Sequence, residues 1–179
     1  MKAKAQEYID ECFRLRKDID IRAEILKKEH QNHLSCKSGC DLCCMDYNIF
    51  PVEFYSILDE LQNRKFNPKP LRKKEEESSS CVFLNNHKCT IYQSRPVICR
   101  TQGLPLLYTN DDDEWELSTC ELNFINFDFG RFSEKNTFAQ DKYNSKLFVL
   151  NRKFIANFPD NKYDEKELIP LRKLTEYLK

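Results

Sequence analysis

Hydrophobic residues recur along this chain with two different periods, and the changes of period divide it into parts. From about Lys4 to His33, Tyr8, Cys12, Leu15, Ile19, Ala23 and Leu26 are spaced by three and four, the stripe of an amphipathic helix. Asp10 with Arg14, Asp18 with Arg22 and Glu24 with Lys28 set an acid one turn before a base on the solvated face, each pair adding about 0.3 kcal/mol. Met45 to Phe50 is short and mixed and predicts an extended segment. Pro51 is suited to the first turn of a second helix, whose apolar face of Phe54, Ile57, Leu58 and Leu61 runs to about Asn63. Periodicity then stops from residue 66 to 80, where Pro68, Pro70, a Lys/Glu run and three serines predict an exposed loop.

Short β-prone runs follow. Cys81 to Leu84 and Lys88 to Tyr92 flank Asn85-Asn86-His87, whose asparagines tolerate left-handed geometry, so a small hairpin is expected. His87 reads as a turn residue at its tip. Arg95-Pro96 starts a helical turn carrying Cys99, and a second hairpin of Leu104 to Thr109 and Glu114 to Thr119 delivers Cys120. Phe124, Phe127, Phe129, Phe132 and Phe138 read as core packing, with a lid or a protein-partner surface as the alternative. A helix from about Thr137 presents Leu147, Leu150, Phe154 and Phe158 and ends near Pro159. A final helix is expected from about Leu168 to Leu178, begun or interrupted by Pro170.

A length of 179 residues supports one domain with its own core. Lys plus Arg and Asp plus Glu balance at 29 each, which removes the bulk electrostatic case for nucleic acid or an anionic membrane. No window approaches the roughly 18 consecutive apolar residues of a membrane span, and Met1 to Asp10 lacks an apolar leader core. A cytoplasmic protein is therefore expected. In a reducing compartment nine cysteines, an odd count that includes the adjacent pair Cys43-Cys44, argue for metal rather than disulfides.

Eight of those cysteines form the candidate site. Cys36, Cys40, Cys43 and Cys44 follow the pattern C-x3-C-x2-C-C, in which three thiolates can converge on zinc or an iron–sulfur cluster and Gly39 permits a tight turn. Neighbouring residues rarely aim both side chains at one tetrahedral ion. Cys44 thus ligates a second metal, bridges two metals, or points into the core. Cys81, Cys89, Cys99 and Cys120 supply four more thiols, and Arg95 and Arg100 set fixed positive charge beside a centre whose formal charge would be about −4, with two zinc ions or two [4Fe–4S] clusters. Cys12 lies on the helix stripe and is a core residue; His30 and His33 read as helix-end residues, with metal ligation in reserve.

The order C-x3-C-x2-C-C, then Cys81-Val-Phe-Leu, then Cys89-Thr-Ile91-Tyr92 and Arg95-Pro96-Val-Ile-Cys99-Arg100 resembles the zinc- or iron-chelating cysteine-cluster family, the YkgJ-like proteins with a CxxCxxCC domain, a domain also found in flagellin lysine methylases. The resemblance implies a metal-binding core over residues 36–120; residues 1–35 and 121–179, which it does not cover, are expected as helical extensions packing on that core. The expected fold is α+β and mostly helical, its small hairpins and loops converging on a thiolate centre. The leading functional reading is zinc or iron binding through thiolates, iron–sulfur included, with more than one metal ion per chain. The alternative is an iron–sulfur enzyme or electron carrier, with protein modification as one role. Against a full radical enzyme, only Gly103 and Gly130 follow Cys44, where cofactor-binding loops want several glycines. A nucleophilic Cys99 between arginines would explain one cysteine and leave the others idle.

Overall fold

A computed structural model describes residues 3–67, 80–159 and 162–178. Helix α1 (Ala3–Glu29) buries Ile9, Cys12, Leu15, Ile19, Ala23 and Leu26, the stripe expected of it. Helix α2 (Pro51–Asn63) begins with proline at its first position and lies against α1. Helix α3 (Val97–Thr101) is a single short turn, α4 (Gln140–Ala156) packs on α1 and α2, and α5 (Leu174–Tyr177) closes the described chain. Helix outweighs strand, 47% to 12%, which makes the fold a mostly helical α+β one. Among the described residues no helix is long and apolar enough to cross a membrane.

Two cores meet along α2. The first joins the α1 stripe to Val52, Val97, Leu104, Phe138 and the Leu147, Leu150 and Phe154 face of α4. The second packs Phe54, Ile57, Leu58 and Leu61 against Val82, Phe83, Leu84, Ile91 and the C-terminal Ile169, Leu171, Leu174 and Leu178. Helix α2 is enclosed on most sides, so its polar residues need partners. Arg16, 1% exposed, provides one set: it donates to the Ser94 carbonyl and to Ser56 Oγ, both at 3.1 Å, and pairs with Glu60 Oε2 at 3.1 Å.

Among the described residues three small sheets complete the fold. Strands β1 (Asn48–Ile49) and β7 (Ile169–Pro170) pair antiparallel. Strands β2 (Leu84–Asn85) and β3 (Lys88–Cys89) form the expected hairpin, its turn residues Asn86 and His87 at φ 47° and 59°, the left-handed pair that a two-residue turn requires. Strand β4 (Leu106–Thr109) pairs antiparallel with β5 (Trp115–Ser118) and parallel with β6 (Phe138–Ala139). Asn110 Oδ1 accepts from the amides of Asp112 and Glu114 and organises the acidic turn.

The structure departs from the sequence reading at three places. The expected helix from Leu168 starts instead as β7, because Tyr47 O accepts the Leu171 amide at 2.8 Å and Pro170, lacking an N–H, suits a strand edge. The helix expected from Thr137 begins at Gln140, since Phe138 and Ala139 pair with β4. Residues 121–137 carry turns and one 3-10 turn, Phe129–Arg131, rather than α-helix. Of the loop expected over 66–80, residues 68–79 lie outside the described residues.

Two outcomes are expected of this core. Arg16→Met leaves Glu60 buried without that partner and lowers stability by about 3 kcal/mol, measured by urea unfolding. Burial pushes the Cys12 thiol up to about 12, from 9.0 in the unfolded chain. The folded state therefore holds this proton more tightly, and the associated stability is whole below pH 9 and lost as pH rises through 12. Alkaline unfolding of Cys12→Ala should show a shallower fall over that window than the wild type.

Candidate metal centre

The loop from Cys36 to Tyr47 is a succession of tight turns. Gly39 has φ +96°, Cys40 N donates to Lys37 O at 3.0 Å, Cys44 N to Asp41 O at 2.9 Å, and Met45 N to Cys43 O at 3.0 Å. With so few apolar residues the loop cannot hold itself and is tied to its neighbours. Cys81 N donates to Cys44 O at 3.1 Å, and Met45 bridges to Ser80. His87 Nδ1 meets Asp41 Oδ2 at 2.9 Å, which joins the loop to the tip of the β2–β3 hairpin. Cys89 pairs in register with Leu84 in the same hairpin, and Leu84 N donates to Cys81 O at 3.1 Å.

Cys99 comes to this region on α3. Buried Glu53 accepts the Val97 amide at 2.5 Å, satisfying one of the free N–H groups that start the helix. Arg100 leaves the same turn in another direction: it pairs with Asp20 of α1 and donates to Arg95 O at 2.8 Å and Gln93 O at 2.9 Å. Arg95 lies over the Tyr92 ring at 3.9 Å, donates to Tyr92 O at 2.7 Å and stands 3.7 Å from Asp20. Both arginines, expected beside the thiolates, thus spend their hydrogen bonds on backbone carbonyls and Asp20. Burial raises the Cys89 thiol, and the Ile91 amide and then the Arg95 charge oppose that rise.

Cys43, Cys44, Cys81, Cys89 and Cys99 share one electrostatic neighbourhood. A hydrogen bond between the adjacent thiols raises Cys43 far above the ordinary thiol range and lowers Cys44, the proton resting on Cys43. Cys99 keeps part of its surface in solvent, yet its surroundings are dense enough that burial is the main cause of its raised thiol, with Cys81, Cys89, Glu53 and Cys43 adding to it. Cys81 is pushed up to about 11 by burial, then by Cys89 and Asp46. The Tyr47 phenol rises to about 12, again by burial first, with Cys99, Cys43, Cys44 and Cys81 contributing.

Cys36 and Cys120 are organised differently, around Asn123. This 4% exposed side chain accepts the Ser35 amide at 2.8 Å, donates to Gly103 O at 2.7 Å and reaches Cys36 Sγ at 3.4 Å, while its own amide donates to Cys120 O at 2.9 Å. Gly103, at φ +85°, leaves Cys36 room: a Cβ there would stand 2.5 Å from the sulfur. Cys40, half-buried, lies in the loop between the two groups.

His30 and His33 belong to neither group. His30 is buried edge-on against Phe124, Phe127 and Phe132, with Nε2 at 2.6 Å from Asn136 O, and His33 packs on Phe124 and Phe127. They anchor the phenylalanine cluster instead of capping the last carbonyls of α1. Cys12 is wholly buried in the first core. Sequence reasoning missed Asp20, Tyr47, Glu53, Gln102 and Asn123, polar residues with no local pattern; a signal existed only for Asn123, three positions after a candidate ligand.

Among the described residues no group of three or more His, Cys, Asp or Glu side chains is gathered closely enough to hold a metal ion. The donor set nonetheless suits zinc or iron: soft sulfurs from three segments line one poorly hydrated region, and rotation about the single χ1 of each cysteine redirects its sulfur. Ligation calls for such side-chain rotations on segments already held together by backbone contacts.

Residues 35–121 match a protein family described as "Putative zinc- or iron-chelating domain" (CxxCxxCC). No curated protein and no solved structure matches the chain.

Gly103→Ala should cost about 2 kcal/mol, through backbone strain and the clash with Cys36, in thermal or urea unfolding of the metal-free protein. Gly39→Ala meets open space and should cost about 1 kcal/mol from strain alone. Equal losses would show that Cys36 does not pack against Gly103.

Proposed function

We propose that the protein binds zinc or iron through Cys43, Cys44, Cys81, Cys89 and Cys99, a reading supported by the match of residues 35–121 to the zinc- or iron-chelating family. Cys36, Cys40 and Cys120 are the further thiols that would complete the same centre. The observation that carries the reading is the meeting of three segments: Cys81 N donates to Cys44 O at 3.1 Å, and Cys44 of the loop and Cys99 of α3 lie within electrostatic reach of each other and of Cys81 and Cys89. Crowding makes it costly for these thiols to ionise together, and a bound cation offsets that cost. When bound, zinc joins the three segments without redox chemistry, and iron adds an electron-transfer capacity. More thiols than one tetrahedral ion can use, two of them adjacent, favour more than one metal ion per chain.

Anaerobic purification followed by elemental analysis, sulfide assay and a visible spectrum should find zinc or iron in excess of one ion per chain. Acid-labile sulfide with broad visible absorption would identify the metal as an iron–sulfur cluster; a colourless zinc protein would identify a closed structural site. Cys99→Ser and Cys44→Ser should lose metal and stability together, and Cys12→Ser should keep its metal. The Cys43, Cys81, Cys89 and Cys99 thiols are all shifted upward, so metal displaces their protons and affinity should weaken as pH falls. A protein free of zinc and iron after anaerobic purification, or a Cys99→Ser variant with full metal content, would sink the reading.

A further inference from the structure

The Tyr47 hydroxyl joins two of the thiol-bearing segments. It donates to the Cys43 carbonyl at 3.2 Å, and its oxygen accepts from Gln102 Nε2, also at 3.2 Å. Gln102 is the residue that ends α3, three positions beyond Cys99. The Cys43 carbonyl belongs to the peptide group between Cys43 and Cys44 and also accepts from the Met45 amide at 3.0 Å. Two donors occupy both acceptor directions of one oxygen and hold the plane of that peptide. A fixed plane sets the directions in which the two flanking side chains leave the backbone, which matters most where adjacent cysteines must both serve as ligands.

Tyr47 adjoins the thiols: its hydroxyl reaches the Cys43 carbonyl, and its half-buried phenol lies within electrostatic reach of Cys99, Cys43, Cys44 and Cys81. Its backbone is secured separately: the amide donates to Met45 O at 3.1 Å, and the carbonyl accepts from Leu171 at 2.8 Å. Removing the hydroxyl therefore leaves the position of the residue intact and releases only the link from α3 to the Cys43–Cys44 peptide.

We propose that Tyr47 is a positioning residue of the metal centre: its hydroxyl, backed by Gln102, holds the Cys43–Cys44 peptide at the orientation in which the loop thiols and Cys99 can engage the same metal ion. The proposal deepens the metal-binding reading and rests on it. It adds a neutral, non-sulfur group to a site otherwise described by its cysteines, and it assigns Gln102 to the same link. Groups that orient ligands affect affinity strongly, because a free ligand segment must be ordered at the moment of binding.

The test uses reduced, full-length protein and two probes, Zn²⁺ and Co²⁺, titrated in competition with a chromophoric chelator, with thermal unfolding of the metal-free protein in parallel. Tyr47→Phe should bind both ions about tenfold more weakly. Gln102→Ala should weaken binding in the same sense, and the double variant should be no weaker than Tyr47→Phe, because Gln102 acts through the hydroxyl. Loss of affinity is the deciding result, whatever the unfolding midpoint does. Unchanged affinity with a lowered midpoint means that the hydroxyl only stabilises the fold and overturns the proposal, as do losses that add in the double variant. Should Tyr47→Phe fail to fold, unchanged affinity in Gln102→Ala overturns it and weakened affinity supports it. A wild type that takes up neither ion sinks the metal-binding reading and this proposal together, whereas a wild type that binds beside an equally competent Tyr47→Phe sinks this proposal alone.

Discussion

The buried carboxylate of Glu53 is the contact on which the placement of Cys99 depends. Helix α3 has only five residues, far too short to be stable alone, and its first amide is satisfied by Glu53 from the middle of the molecule. Burial favours the protonated form of Glu53, while the Val97 amide and the charges of Arg16 and Arg100 favour its carboxylate. One acid thereby fastens α3 to α2, and Arg100, paired with Asp20, fastens it to α1. Cys99 is presented from a turn clamped at both ends.

Helix α2 can play this part because it borders both cores. Val52 packs with the α1 stripe and α4, whereas Phe54, Ile57 and Leu61 pack with the hairpin that carries Cys81 and Cys89. The C-terminal segment reaches the same region from the far end of the chain: β7 pairs with β1, and Arg172 meets Asp46 at 2.6 Å. The cysteine loop thus lies among segments drawn from most of the sequence. Its own side chains contribute little, Leu42 being 62% exposed. Secured by backbone hydrogen bonds and a few polar side chains, the loop is the part of the molecule whose arrangement metal can most readily refine.

The charge arrangement has a related logic. Arg95 and Arg100 sit beside Cys99 in sequence, yet their guanidinium groups bind Asp20 and backbone carbonyls. They support the scaffold; the charge of Arg95 reaches the Cys89 thiol, and that of Arg100 reaches Cys12 in the core. In a poorly hydrated cluster with so little fixed positive charge, burial favours the protonated forms of Cys81, Cys89 and Cys99, and a metal cation replaces those protons.

Local pattern alone determined much of this protein: the stripe of α1, the proline that opens α2, the Asn86-His87 turn, the helical turn after Pro96, and the cysteine spacing that matches the chelating-domain family. Each depends on interactions between residues within about one turn of one another, and such interactions are written in the order of the chain. Tertiary structure decided the rest. Whether Leu168 to Pro170 became helix or strand depended on β1, 120 positions away by the pairing of Ile49 with Ile169. The directions of Arg95 and Arg100 depended on Asp20, the fate of His30 on three phenylalanines, and the grouping of Cys36 near Cys120 on Asn123. These outcomes follow from which partner a polar or aromatic side chain meets once the chain has closed, and burial selects that partner without leaving a period in the sequence.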